Sequence, residues 1–456
     1  MIKLTLQKIL NFLVDKKFYY ILSIIFLLQI REKKPNGKNK LFHSKKGSRV
    51  TVLALDSEKY RGDLEALSLS SGLQILCIRQ KWYGALMRAL YKTNMPRSVN
   101  DREYISRSDP LLIDQIQGFM VKFLRILYRI LEIDIVTNVN YRYPEDYDWT
   151  LASEKINTPY IMLYRECLIN TERLKFRVLG RHKEQPLFHG SKIIVHNYIC
   201  KSLFVESGYC SESKISVCGA VRMDNFIKMI NNINLSNKTK KSKKKFILFY
   251  YPYSMSLFGK ENYDDGVFHY VSNIWDKRKE SFRQLHLSII KMANDNPEID
   301  YIIKPKREAV ENKSWEFYQQ IVLESKINVS RLNNYSVQPD ANVHQLIFES
   351  DVVCGLQSST VLESAIAGKR VVFPLFNDYK NIENFQDFGW KDNLDIFDVA
   401  ENVDEFESIV NNCFINPTVS DDIQKQRKKL FNKYFDNLEG NAKDCYIDNI
   451  LSVVED

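Results

Sequence analysis

The sequence predicts an α/β protein of two parallel-sheet domains followed by a C-terminal helical segment. From Arg49 onward, short β-branched runs alternate with amphipathic helical segments, the pattern of βα units whose sheet is covered on both faces. The run from Asn231 to Lys245 is polar, lysine-rich and without apolar period, so it divides the chain. Residues 419–454 have helical character and no strand signal. At 456 residues and 45% hydrophobic content the chain can fill two cores, and chain-wide disorder is excluded.

The elements follow in order. Within residues 1–47, the stretch Phe18 to Ile30 is apolar for thirteen residues, short of the roughly 20 that span a bilayer. Lys16 and Lys17 precede it, Arg31, Lys33, Lys34, Lys38 and Lys40 follow, and no small-residue cleavage site is present. These flanks predict a helix lying on an anionic, cytoplasmic membrane surface; a packed N-terminal helix with a solvated basic linker is the alternative. Residues 48–230 form the first α/β domain, with strands at Val50–Leu55, Ile133–Val136, Thr158–Leu163, Lys192–Val195 and Lys214–Val217 and helices at about 63–70, 82–91 and 110–131. Residues 231–245 are the linker. Residues 246–415 form the second domain, with strands at Phe246–Tyr251, Tyr301–Ile303, Asp351–Val353 and Arg370–Phe373 and a helix near 276–294. Residues 416–456 are helical and expected to pack back across the first domain.

The net charge of +9 is not a property of the whole chain. Residues 1–50 hold twelve Lys/Arg and two Asp/Glu, which leaves the remainder at −1. A nucleic-acid binder would spread its basic residues over the folded domains, so no nucleic-acid partner is expected. The eight cysteines are scattered without CxxC pairs, which suits a reducing cytoplasm, and Cys167, Cys210 and Cys218 read as small core fillers. The seven histidines form no HxH, HxxxH or HExxH spacing, so metal catalysis has no sequence support. No GxGxxG follows Leu55, and there is no Walker A loop or GxSxG elbow.

The richest stretch runs from Ser350 to Pro374 and reads as strand, polar loop, helix and strand. Ser358, Ser359 and Thr360 fall at the helix start, where free N–H groups and the positive dipole end favour a diphosphate. Glu363, one turn further in, is placed to accept from ribose hydroxyls, and Gly368 ends the helix. The same residues also read as a capping box, with Ser359 or Thr360 as N-cap and Glu363 near N3 or N4. Lys304, Lys306 and Arg307 follow the strand at Tyr301, at the strand ends where ligands of open α/β sheets bind. A solvated basic loop is the alternative. Tyr253 and Ser254 are weaker donor contacts by the same argument. In the first domain, Glu166 is a candidate general base and Arg165 an anion contact after the Tyr160 strand, with a surface ion pair as the competing reading. Asp56 and Asp134 are weaker candidates.

The order of these motifs resembles GT-B-type glycosyltransferases, most closely those of bacterial surface and capsular polysaccharide assembly. Gly219, Arg222 and Asp224 match a "G-x-x-R-x-D" that closes the first domain, Lys304-Pro305 matches a "K-P" loop, and Ser358-Ser359-Thr360 with Glu363 matches "S-S-T-x-x-E". Lys306 stands where a histidine is common, and Arg370 replaces the proline of "G-K-P-V". The resemblance covers about residues 190–375. It implies two facing Rossmann-like domains, a nucleotide-sugar donor on the second, a glycan or lipid-linked acceptor on the first, and neither metal nor resident cofactor. Carried over, Ser358, Ser359 and Thr360 hold the donor diphosphate, Glu363 the ribose, Lys304 and Arg222 the phosphate charge, and Glu166 serves as base. The expected function is transfer of a sugar to a surface glycan by a cytoplasmic enzyme on the inner membrane face. Three alternatives remain: a nucleotide-sugar 2-epimerase-like isomerase, a teichoic-acid-type polyol-phosphate transferase with Phe188-His189-Gly190 as its only histidine loop, and a non-catalytic scaffold of the same fold.

Overall fold

The computed structural model describes residues 2–34, 39–41, 49–233, 243–249, 272–306, 313–356, 358–377 and 388–455. Tyr253, Ser254, Arg307 and most of the lysine-rich linker lie outside them. The chain divides into two units, each built on its own sheet. Unit 1 comprises 1–169, 175–231 and 434–456; unit 2 comprises 170–174 and 232–433.

The sheet of unit 1 has eight strands: β1 (Arg31–Lys33), β2 (Asn39–Leu41), β3 (Val50–Leu55), β4 (Leu73–Ile78), β5 (Ile135–Asn138), β6 (Tyr160–Tyr164), β7 (Lys192–Val195) and β8 (Ile215–Val217). Their order is β2-β1-β4-β3-β5-β6-β7-β8, and β3 to β8 pair parallel. Only β1 is antiparallel to its neighbours β2 and β4. Since β4 lies on one side of β3 and β5 on the other, chain progression reverses at β3. In doubly wound sheets such a reversal opens a crevice at the strands' carboxyl ends.

Unit 2 holds β9 (Lys244–Phe249), β10 (Ile299–Lys304), β11 (Tyr335–Val337), β12 (Val352–Cys354), β13 (Arg370–Pro374) and β14 (Asp398–Ala400). All pairs are parallel, in the order β11-β10-β9-β12-β13-β14. Renumbered from β9 this is 3-2-1-4-5-6, the dinucleotide-binding order, with its switch point between β9 and β12. The α/β fold with two Rossmann-like units is therefore as the sequence predicts.

Two sequence expectations need correction. The N-terminal segment is not a separate element. Helices α1 (Ile2–Asp15) and α2 (Tyr19–Leu27) bury Leu10, Leu13, Val14, Leu22 and Phe26 in the main core of unit 1. Tyr19 and Phe26 meet Phe119 and Phe123 of the Pro110–Leu131 helix, with ring centroids 4.8 and 5.1 Å apart. Inward apolar residues at helical spacing on both helices drive this packing. Cys218 is not merely a core filler: it forms a disulfide with Cys445 in the Ala442–Glu455 helix, tying the chain's last helix to the end of β8. Cys167 and Cys210 are buried free thiols, each pushed up to about 11 by burial.

Candidate functional site

In unit 2 the carboxyl end of β12 runs through Gly355 and Leu356 into the Ser359–Ile366 helix. Trp390 pins this loop by donating its indole N–H to the Leu356 carbonyl at 3.0 Å. The N-cap is Ser358, one residue before Ser359 and two before Thr360, the expected caps, and its Oγ accepts from the Thr360 amide at 3.4 Å and the Thr360 hydroxyl at 2.8 Å. Ser359 is the first helical residue, so Glu363 is the fifth, two residues beyond the third position from which a capping-box acid reaches back to the cap. Its carboxylate is buried and lies 3.2 Å from His344 Nε2, a residue of the Val343–Glu349 helix. The capping-box geometry is thus absent, while the Ser358 cap is present. Lys304 ends β10 at the same sheet edge, but its ammonium donates to the carbonyls of Pro305 (3.0 Å) and Pro339 (2.8 Å), and burial lowers its pKa. It stiffens the strand end and brings positive charge close to it.

In unit 1 the switch point collects a buried polar cluster. Asp56 follows β3 in the left-handed region, at φ 53°, and its carboxylate lies 3.2 Å from Lys59 Nζ. The Lys59 ammonium sits 3.2 Å from the Tyr143 ring centroid. Asn138, the last residue of β5, donates to the Asn140 carbonyl at 2.9 Å and to Asp146 Oδ2 at 3.4 Å, and accepts from the Tyr160 hydroxyl at 2.6 Å. Asp146, in the Pro144–Glu154 helix, is fully buried. Burial drives its carboxyl up to about 7 against the opposing pull of Lys59, with Glu145 and Asp56 adding to the rise. Among the described residues, Lys59 Nζ, Asp146 Oδ1 and the Tyr60 and Tyr83 hydroxyls make no well-directed hydrogen bond, although Tyr83 faces Asp146. Buried polar groups are rarely left so, and a cluster at a sheet's switch point is an arrangement that a bound polar ligand would complete.

Glu166 follows β6 and lies 3.3 Å from Arg165 Nε. Burial disfavours its charge, but Arg61, Arg165 and Arg142 outweigh that and hold the carboxyl below its ordinary range. It is therefore a weaker proton acceptor than Asp146 near neutrality. Arg165 also donates to the Lys59 carbonyl, joining the two groups of residues. Arg222 belongs to unit 1, whereas Lys304 and Ser358 to Glu363 belong to unit 2. Its guanidinium lies 3.3 Å from the buried Asp63 carboxylate and 3.7 Å from Cys167 Sγ, so much of its charge is committed inside the unit. Its motif partners are structural. Gly219 has φ 77° and a Cβ there would lie 2.3 Å from the Asp436 carbonyl oxygen. Asp224 accepts from the amides of Ala442 and Lys443 and from Asn437, capping the last helix.

His189 is enclosed beside Tyr160, contacts Thr150 Oγ1 at 2.8 Å, and is pushed down to about 4 by burial. That is a poor setting for the proton transfer a polyol-phosphate transferase histidine would perform. Sequence reasoning missed Asp146, Lys59 and His344. Asp146 sits in a helix that no motif marks; only its position just beyond the β5 strand end hinted at a role.

No protein-family model and no curated protein sequence match the chain. Solved structures similar to it include UDP-GlcNAc 2-epimerase from Neisseria meningitidis bound to UDP-GlcNAc (10% identity, 89% of this chain and 100% of that one, TM-score 0.45). UDP-GlcNAc 2-epimerase from Methanocaldococcus jannaschii shares 11% identity over 89% of this chain and 99% of that one, at TM-score 0.44. Anabaena Alr3699/HepE in complex with UDP and glucose shares 12% over 89% and 100%, at TM-score 0.40. At such identities and TM-scores the likeness carries no argument about what this chain binds or does.

Proposed function

We propose that the chain is an enzyme acting on a nucleotide-diphosphate sugar. The observation that carries this reading is the 3-2-1-4-5-6 sheet of unit 2, with a Ser358-capped helix opening directly after β12 at its switch point. Under it, the Ser359 amide and the hydroxyls of Ser358 and Ser359 take the diphosphate, with Thr360 holding the Ser358 hydroxyl in place and Lys304 supporting the charge. Glu363, held by His344, takes the ribose. Within unit 1, Asp146, with Lys59 and Tyr83 beside it, is the candidate proton-transfer group, while Glu166 orders the arginines around it. Arg222 takes part by positioning the end of β8 through Asp63. No resident cofactor or metal is proposed.

Two fates of the sugar fit. Isomerisation, as in a 2-epimerase, is favoured by the burial of Asp146: an enclosed carboxyl that titrates near neutrality suits a proton exchange within one bound sugar better than delivery of a polymeric acceptor. Glycosyl transfer to a glycan or lipid-linked acceptor is supported by the motif order from Gly219 to Glu363. The test is incubation with a panel of nucleotide sugars, UDP-N-acetylglucosamine included, in deuterated buffer with and without acceptor. Deuterium entering the sugar without acceptor supports isomerisation, and nucleotide release that requires acceptor supports transfer. Absence of binding to every nucleotide and nucleotide sugar by calorimetry would overturn both.

A further inference from the structure

The N-terminal helix pair has an inner face and an outer face, and the outer one is built unlike a solvated surface. On α2, Tyr20, Ile24 and Leu28 lie along one line at four-residue spacing, with Ile21 beside them, and all are exposed. Ile24 and Leu28 leave 52% and 57% of their surface in solvent. On α1, the exposed line at the same spacing is Lys8, Phe12 and Lys16, with Phe12 55% exposed. Lys17 occupies the turn between the helices, and Phe18 closes onto Phe12 edge to face, centroids 6.0 Å apart. Two aromatic rings paired on the outside and a line of aliphatic side chains form one contiguous apolar face. Contiguous patches of this kind mark interaction sites, whereas singly scattered apolar residues do not.

The charge around the patch says what covers it. Lys8, Lys16 and Lys17 are exposed at its edge, and the Pro110–Leu131 helix, which packs on α2, carries exposed Lys122, Arg125 and Arg129 against one exposed acid, Asp114. The one acid on the exposed face of α1, Asp15, is paired with Lys92 at 3.3 Å. A second protein would ordinarily meet an apolar centre with a mixed rim. An apolar centre with a cationic rim is complementary to acyl chains beneath anionic headgroups, into which long lysine side chains extend. The nine residues of α2 span about 14 Å at 1.5 Å per residue, under half a bilayer core, so the pair can lie on a membrane but not cross it. Among the described residues no helix is long and apolar enough to cross.

We propose that the outer face of α1 and α2 docks unit 1 onto an anionic phospholipid surface. The proposal is independent of the nucleotide-sugar reading. Deleting residues 1–47 would not test it, because Leu10, Leu22 and Phe26 belong to the core. The test uses the full chain with vesicles of phosphatidylcholine alone and with phosphatidylglycerol added, in flotation assays at low and high salt. Three variants are compared: Ile21→Gln with Ile24→Gln, Lys16→Gln with Lys17→Gln, and a control at exposed Leu323→Gln, remote in sequence and in unit 2. The wild type and control are expected to float with anionic vesicles only, the lysine pair to lose roughly five-fold in binding per lysine, and the isoleucine pair at least ten-fold, with unchanged far-UV circular dichroism. Wild-type protein that fails to float with anionic vesicles overturns the proposal. So does binding that the isoleucine pair leaves intact, or a concentration-dependent dimer that this pair converts to monomer, which would assign the face to a second copy of the chain.

Discussion

Replacing Asp146 with asparagine separates stability from function, because the feature that suits Asp146 to proton transfer is a cost to the fold. Its carboxyl ionises at about 7 in the folded protein against an ordinary 3.8. A folded-state pKa above the unfolded one means the native state binds the proton more tightly, so stability is lost as pH rises from the unfolded value to the folded one. Below pH 3.8 both states are protonated and the penalty vanishes; above about 7 it is complete. The interval corresponds to about 4 kcal/mol at pH 8 and under about 1 kcal/mol at pH 4. Asparagine has the same shape and no charge, so it mimics the protonated acid at every pH. Asp146→Asn is therefore expected to match the wild type in urea unfolding at pH 4 and to exceed it at pH 8 by up to about 4 kcal/mol, while turnover falls by a factor of 10² or more. A stability gap that does not widen between pH 4 and pH 8, or a variant less stable than wild type at pH 8, would refute the reasoning, because the carboxylate would then be a net contributor to the fold.

Three further outcomes are expected. Cys445→Ser opens a covalent link between residues 227 apart, with a chain-entropy limit of about 5 kcal/mol, and the difference in thermal unfolding from wild type should vanish when both are reduced. Glu363→Gln should weaken nucleotide binding ten-fold or more in calorimetry with little change in melting temperature; a large melting loss at unchanged affinity would mark the Glu363–His344 pair as purely structural. Gly219→Ala forces a Cβ onto the Asp436 carbonyl in a left-handed backbone, and should lower stability by more than about 2 kcal/mol in denaturant unfolding.

Strand ends were the part of this molecule most open to sequence reasoning. β3, β6, β7 and β10 are β-branched or aromatic runs that stop at polar residues, and β12 is a short apolar run that stops at Gly355, so their carboxyl ends, and with them Lys304 and Ser358, could be located from the sequence. β4 escaped because Leu73–Ile78 lies between two helical patterns with little β-branched content, and β1 because Arg-Glu-Lys has no apolar face; each is a strand only through its neighbours. β4 matters most, since without it the reversal at β3 is invisible and Asp56, Lys59 and Asp146 do not converge on anything. The Gly219–Asp224 motif was legible as a pattern and not as a role, for a related reason. Gly219 and Asp224 are required by Phe435 to Lys443, more than two hundred residues away, which return to unit 1 and hydrogen-bond there. Local spacing identifies residues that serve their own loop, as Ser358 does. Residues whose purpose depends on what the chain brings back to them carry no such mark. Asp146 belongs to that second class, and the pH-dependent cost of keeping it buried is the measurable trace of its placement.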